Sequence, residues 1–171
     1  PKDANHYFVT SYGTGLYEFV GQKCVAHIIS SSDNTMGSAV KGVDSLYTRI
    51  DKATFDSVGN LWILNAGSVP YPIVCLDTNK TWHGLPIFIN NERRNLITPS
   101  GFVIDTFHPN YKWIANARVQ VEIILIDDNG TPFDSSDDRA IGRNNWTTQK
   151  GQLFTPETIL SIIQESNGRI W

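Results

Sequence analysis

Three copies of one short unit constrain this chain more than any other feature. Asp56-Ser57-Val58-Gly59-Asn60-Leu61-Trp62 places an acid six positions before a tryptophan and a glycine three before it. Glu165-Ser166-Asn167-Gly168-Arg169-Ile170-Trp171 repeats that arrangement. Asp105-Thr106-Phe107-His108-Pro109-Asn110-Tyr111-Lys112-Trp113 is a looser copy with two extra residues in the turn. The tryptophans stand 51 and 58 residues apart. Turn-plus-strand units recurring at about 50 residues have the period of β-propeller blades.

The chemistry of the unit is structural. A short acid before a turn accepts hydrogen bonds from backbone amides two residues on. Glycine supplies a positive φ there at little steric cost. Tryptophan then opens a strand and offers a large apolar face to a neighbouring sheet. Asp56, Gly59, Trp62, Asp105, Trp113, Glu165, Gly168 and Trp171 are therefore read as the structural frame of the repeat, not as catalytic residues.

Composition agrees with one folded unit of short strands. The 171 residues are 40% hydrophobic and 18% charged, enough to bury a core. Glycine, proline and short polar residues punctuate the whole length, as turns between strands require. A net charge of −3 provides no electrostatic footprint for nucleic acid. No apolar run approaches the roughly 18 residues of a membrane-spanning helix. Pro1 and Trp171 both read as cuts, so the chain is expected to be a fragment whose edge sheets are completed by the rest of the propeller or by a second copy.

The turn signals divide the chain into blades at about 1–45, 46–98 and 99–145, with a further blade starting over 146–171. The expected fold is all-β: a partial β-propeller of about three blades, each an antiparallel four-stranded sheet. In the first blade, strands are expected at Tyr7–Ser11, Gly15–Phe19 and Cys24–Ile28, with its first strand missing. The second has strands at Leu46–Phe55, Leu61–Asn65, Ile73–Leu76 and from Thr81. The third has Gly101–Ile104, Trp113–Asn116 and Val121–Ile126. One helical turn is expected at Pro156-Glu157-Thr158. The stretches 29–45, 90–100 and 127–145 read as loops.

Several stretches invite a chemical reading and fail it. Gly13-Thr14-Gly15 lacks the following helix and Lys-Ser/Thr of a phosphate loop. Ser30-Ser31-Ser32 has no surrounding nucleophile elbow. Asp127 to Asp138 is dense in carboxylates, but Gly130 stands at loop position four rather than six, and the last position is Asp138 rather than Glu, which is not the EF-hand order. That loop reads as a self-hydrogen-bonded turn. His6, His27, His83 and His108 show no metal-site spacing. Cys24 and Cys75 read as separate thiols. No catalytic residue, cofactor or metal is expected. Arg93 and Arg94 are the candidate ligand contacts, since guanidinium groups suit phosphate or carboxylate.

The quoted units resemble the two-component-regulator propeller repeats of exported proteins from Bacteroidetes-type bacteria, whose pattern is acid-x-x-Gly-Asn-Leu/Ile-Trp followed by Gly-Leu-x-x-Phe/Tyr. Asp56–Trp62, Glu165–Trp171 and Gly15-Leu16-Tyr17-Glu18-Phe19 carry the likeness. Ser11–Phe19, Gly59–Asn65 and the acidic insert 127–139 are similar to the PorZ-like branch of the type IX secretion system. Arg118-Val119-Gln120-Val121 departs from the family, which has a glycine pair there.

The resemblance implies a non-catalytic β-propeller at the cell surface or outer membrane, with the periplasm as the alternative location. It implies support of type IX secretion and of cargo attachment to lipopolysaccharide. Its partners would be the surface sortase or other secretion proteins, with lipopolysaccharide or another glycan as ligand and no nucleic acid. The second reading is the extracellular glycan-sensing propeller of a hybrid two-component histidine kinase. A propeller sialidase is disfavoured, because its Asp-box places tryptophan five residues after the acid rather than six.

Overall fold

The computed structural model describes residues 3–31, 34–40, 42–43, 47–68 and 70–171. Fifteen strands and no helix are present among them: β1 His6–Gly13, β2 Gly15–Val20, β3 Lys23–Ile28, β4 Thr48–Phe55, β5 Leu61–Ala66, β6 Ile73–Leu76, β7 Trp82–Leu85, β8 Ile87–Ile89, β9 Glu92–Arg94, β10 Pro99–Ile104, β11 Tyr111–Asn116, β12 Glu122–Asp127, β13 Arg139–Arg143, β14 Trp146–Thr147 and β15 Leu153–Phe154. The fold is all-β and antiparallel, consistent with a partial propeller.

Consecutive strands pair as meanders. β1, β2 and β3 form one three-stranded meander, β4 to β7 a second of four strands, and β10 to β13 a separate four-stranded sheet. The first two meanders pair edge to edge at Tyr12↔Arg49 and Gly13↔Thr48, with a further bridge at Thr14↔Thr48, which joins them into one curled seven-stranded sheet. Trp62 lies on the second strand of its meander and Trp113 on the second strand of its own sheet, each just after the acid turn. The two tryptophans thus take equivalent positions in different sheets, as the repeat of the acid-turn-tryptophan unit requires.

The burial pattern of β5 explains the stacking. All of its residues are buried, so it has no solvent face. Successive side chains on a strand point to opposite faces. Leu61 and Ile63 pack with Leu16, Met36, Ile50 and Val74, and with Phe8 and Ile28 of the first meander. Trp62 and Leu64 pack with Ile114, Ile124 and Ile126 of the third sheet. Burying each such aliphatic side chain contributes about 1.5–3 kcal/mol. β5 thus serves two interfaces at once, and the middle meander is covered on both sides.

The structure corrects several expectations. Residues 90–98 are not a plain linker: β9 returns on β8 as a hairpin pairing Ile87 with Arg94 and Ile89 with Glu92. The loop expected over 127–145 ends early, because β13 runs from Arg139 to Arg143 along β12. Pro156-Glu157-Thr158 forms no helical turn. Leu46, the expected start of the second blade, lies outside the described residues, as do Ser32 and Asp33 of the serine loop. At the departure from the family pattern, Gln120 takes a positive φ of 54°, the conformation a glycine would adopt freely. The Asn116 side-chain amide holds that turn by donating to the carbonyls of Val119 and Gln120 at 2.7 and 3.0 Å.

The last segment is less regular. Ile163 and Trp171 exchange both backbone hydrogen bonds at 3.0 and 2.9 Å, and Glu165 N donates to Arg169 O at 2.9 Å. The third copy of the unit is therefore folded as a turn, although only an isolated bridge, Gln164↔Ile170, extends it. It is anchored to the third sheet: Ser100 Oγ donates to Ile159 O at 2.6 Å and Gln164 Nε2 to Asp105 Oδ1 at 2.7 Å. A side chain at Gly101 would collide with Ile162, so glycine permits this close approach.

Candidate functional site

Asp56 and Asp105 are hydrogen-bond hubs, whereas the third copy closes through its backbone, with Gly168 N donating to Glu165 O at 2.9 Å and Trp171 left 65% exposed, untied to its acid. The amides of Val58, Gly59 and Asn60 donate to Asp56 Oδ1 at 3.0, 2.7 and 2.9 Å. Asn60 Nδ2 and the Trp62 indole Nε1 donate to Oδ2 at 2.7 and 2.9 Å. Gly59 adopts φ 108° to bring its amide round, which a side chain would strain. In the looser copy the same tie forms despite the extra residues. Phe107 N and His108 N donate to Asp105 Oδ1 at 2.9 and 3.0 Å, and Trp113 Nε1 donates to Oδ2 at 3.1 Å. Burial would raise the Asp56 carboxyl, but the Trp62, Asn60 and Gly59 donors outweigh it and hold it below the ordinary carboxylate value. Against the same opposition from burial, the Gln164, Phe107 and Trp113 donors bring Asp105 down to about 2. Hydrogen bonds to the charged form have this effect.

A further acid copies the device with a different partner. Asp77 Oδ1 accepts from Asn79 N and Thr81 N at 2.9 and 2.8 Å, while Oδ2 meets His83 Nε2 at 3.0 Å. The His83 hydrogen bond lowers the Asp77 carboxyl first, with Thr81 N adding to it. His83 stands six residues after Asp77, the Asp56-to-Trp62 spacing. That echo was visible in the sequence and was missed.

At the junction of the second meander and the third sheet these ties converge. The Lys112 ammonium lies 4.4 Å from the Trp62 ring centroid and pairs with Asp128 Oδ2. Lys112 is 2% exposed and Asp128 4%. Buried charges persist only when paired and hydrogen-bonded, and the amide of Gly130 completes Asp128 at 2.9 Å. From the acidic loop, Phe133 stacks on His83 with centroids 4.1 Å apart and reaches Trp62 at 6.2 Å. The insert thus clamps onto the preceding blade. Cys75, buried beneath this junction, has its thiol raised, first by burial and then by the Asp56 and Asp77 charges, with Lys112 opposing.

All of the loop's carboxylates except that of Asp138 have internal partners. Asp127 takes Asn110 Nδ2 and Asn129 N at 2.5 and 3.0 Å. Asp134 takes Ser136 N at 2.9 Å. Asp137 takes Asn129 Nδ2 and Thr131 Oγ1 at 3.0 and 2.8 Å. No group of three or more His, Cys, Asp or Glu side chains that could hold a metal occurs among the described residues.

Arg93 and Arg94 adjoin on β9, so strand alternation turns them to opposite faces. Arg93 is exposed. Its guanidinium donates to Pro70 O at 2.9 Å and lies 5.8 Å from the Phe88 ring centroid. Arg94 is 3.9 Å from Glu92 and faces Glu122, whose carboxyl is raised by burial and lowered in part by Arg94. The two guanidiniums do not form one binding pair. Cys24 is exposed, Cys75 is buried, and both are free.

No family model matches this chain, and no curated protein does. Among solved structures the chain is similar to PorZ, described as an essential bacterial surface component of the type IX secretion system of Porphyromonas gingivalis. The similarity covers 100% of this chain at 27% identity with a TM-score of 0.79. The chain spans 22% of the PorZ chain.

Proposed function

We propose that this chain is a blade-bearing module of an exported, surface-located propeller protein that supports type IX secretion by binding rather than by catalysis. The observation that carries the reading is the similarity to PorZ over the whole chain. Asp56 and Asp105 favour a non-catalytic role, because their oxygens are filled by amides and indoles and have little capacity left for a substrate. The ligands proposed are lipopolysaccharide and a surface sortase or another secretion protein, met through loops at the blade edges. Arg93, exposed beside Phe88, is the proposed contact for a phosphate or carboxylate of the glycolipid; Arg94 is engaged with acids of the chain itself.

The test uses the full-length protein. It is titrated with lipopolysaccharide from its own organism and with the purified sortase partner, and saturable binding to either supports the reading. Binding to neither, with tight binding of an oligosaccharide breakdown product, would transfer the protein to the glycan-sensor class. Turnover of any glycan would overturn the non-catalytic reading.

A further inference from the structure

One acid of the insert lacks the internal partners that the others have. Among the described residues Asp138 makes no hydrogen bond or ion pair, and its Oδ1 is buried without a partner. It lines a cavity of about 290 Å³ between the β8–β9 hairpin and the 127–138 loop. Pro86, Ile87 and Phe88 supply an apolar wall, and Ser135 and Ser136 add hydroxyls beside Asp138.

We propose that this cavity receives an alkylammonium or guanidinium group, the basic side chain of a protein partner. Asp138 would accept from the cationic head while Phe88 and Ile87 cover its apolar stem. Charge complementarity decides the sign of the ligand. Asp134 and Asp137 lie on the same loop, and Lys112, whose charge acts on Asp138, is already committed to Asp128 and the Trp62 ring. A carboxylate that the chain leaves unpartnered gains most from a charged donor, since such bonds are about twice as strong as neutral ones. Burial, opposed by Lys112 and reinforced by Asp128, Asp137 and Asp134, raises this carboxyl to about 6, which supports an uncompensated charge. The hairpin's charges, Glu92, Arg93 and Arg94, all lie outside the cavity lining; Arg93 is held by Pro70 O and Arg94 stands 3.9 Å from Glu92. The inference is independent of the secretion-system reading.

The experiment follows backbone amide shifts of the intact protein at pH 7.5 and low salt. It is titrated with N-acetyl-arginine amide and, separately, with the neutral near-isostere N-acetyl-citrulline amide. The expected result is saturable shifts at Phe88, Ser135 and Ser136 with the cation alone, at least tenfold weaker at pH 5 than at pH 7.5. Asp138→Asn should weaken binding at least tenfold while leaving thermal stability unchanged or raised, because it removes a poorly solvated charge. Phe88→Ala, at an exposed position, should also weaken it. Equal response to citrulline, unaltered affinity in D138N, or shifts confined to other regions would overturn the proposal.

Discussion

Asp56→Ala isolates the tie on which the second meander depends. The substitution strips the acceptor from five donors, three backbone amides, one side-chain amide and one indole. Water can reach Val58, which is 64% exposed, but Trp62 is 1% and Asn60 6% exposed. A buried donor left without an acceptor costs about 1–3 kcal/mol, so the three donors on these two buried residues predict a loss of roughly 3–4 kcal/mol even at the low end of that range. For a chain of this length that corresponds to a fall in melting temperature of about 6–15 °C. Urea unfolding of the wild type, Asp56→Ala, Trp62→Phe and the double variant gives the coupling directly. The carboxylate–indole pair should account for about 1–2 kcal/mol of coupling. A D56A loss under about 0.5 kcal/mol, or a coupling near zero, would mean that Asp56 is a solvated turn residue, and the hub argument would fail.

Three further outcomes follow from the geometry. Lys112→Met leaves Asp128 buried without its cation and should destabilise by about 3–5 kcal/mol, whereas Lys112→Met combined with Asp128→Asn should recover more than half of that in chemical denaturation. Asp105 has a folded value near 2, below its ordinary 3.8, so its contribution is complete above about pH 4 and is lost as pH falls towards 2; urea midpoints across that window should flatten in Asp105→Asn. Cys24 is exposed and Cys75 buried with a raised thiol, so an aromatic disulfide reagent should titrate one thiol in the native protein and the second only after unfolding.

The repeat was legible because its parts are local. Acid, glycine and tryptophan lie within one turn, and their hydrogen bonds close over a few residues. Strand centres such as Gly15–Phe19 and Ile73–Leu76 were equally plain from apolar runs between turn residues. What escaped depends on contacts distant in sequence. Lys112 reads as a surface lysine until the Trp62 ring, fifty positions earlier, is seen beneath it. Phe133 reads as a loop residue until His83 is seen under it. β13 was lost because its five residues include two arginines and a glycine, and only pairing with the apolar β12 makes them a strand. The Arg93-Arg94 pair shows the opposite error: adjacency in sequence suggested cooperation that strand alternation separates.

The carboxylate–indole tie also bears on how such a chain can change in length. Asp56 reaches its tryptophan in six residues and Asp105 in eight, yet both indoles end about 3 Å from their acids. Insertions within the turn are absorbed as slack, because the tie fixes where the strand begins rather than how the chain arrives there. An insertion inside β5 has no such freedom. A slip of one residue would exchange the side chains facing the first meander with those facing the third sheet, spoiling two interfaces together. Grafting a longer recognition loop into this module should therefore succeed between an acid and its tryptophan and fail a few residues downstream.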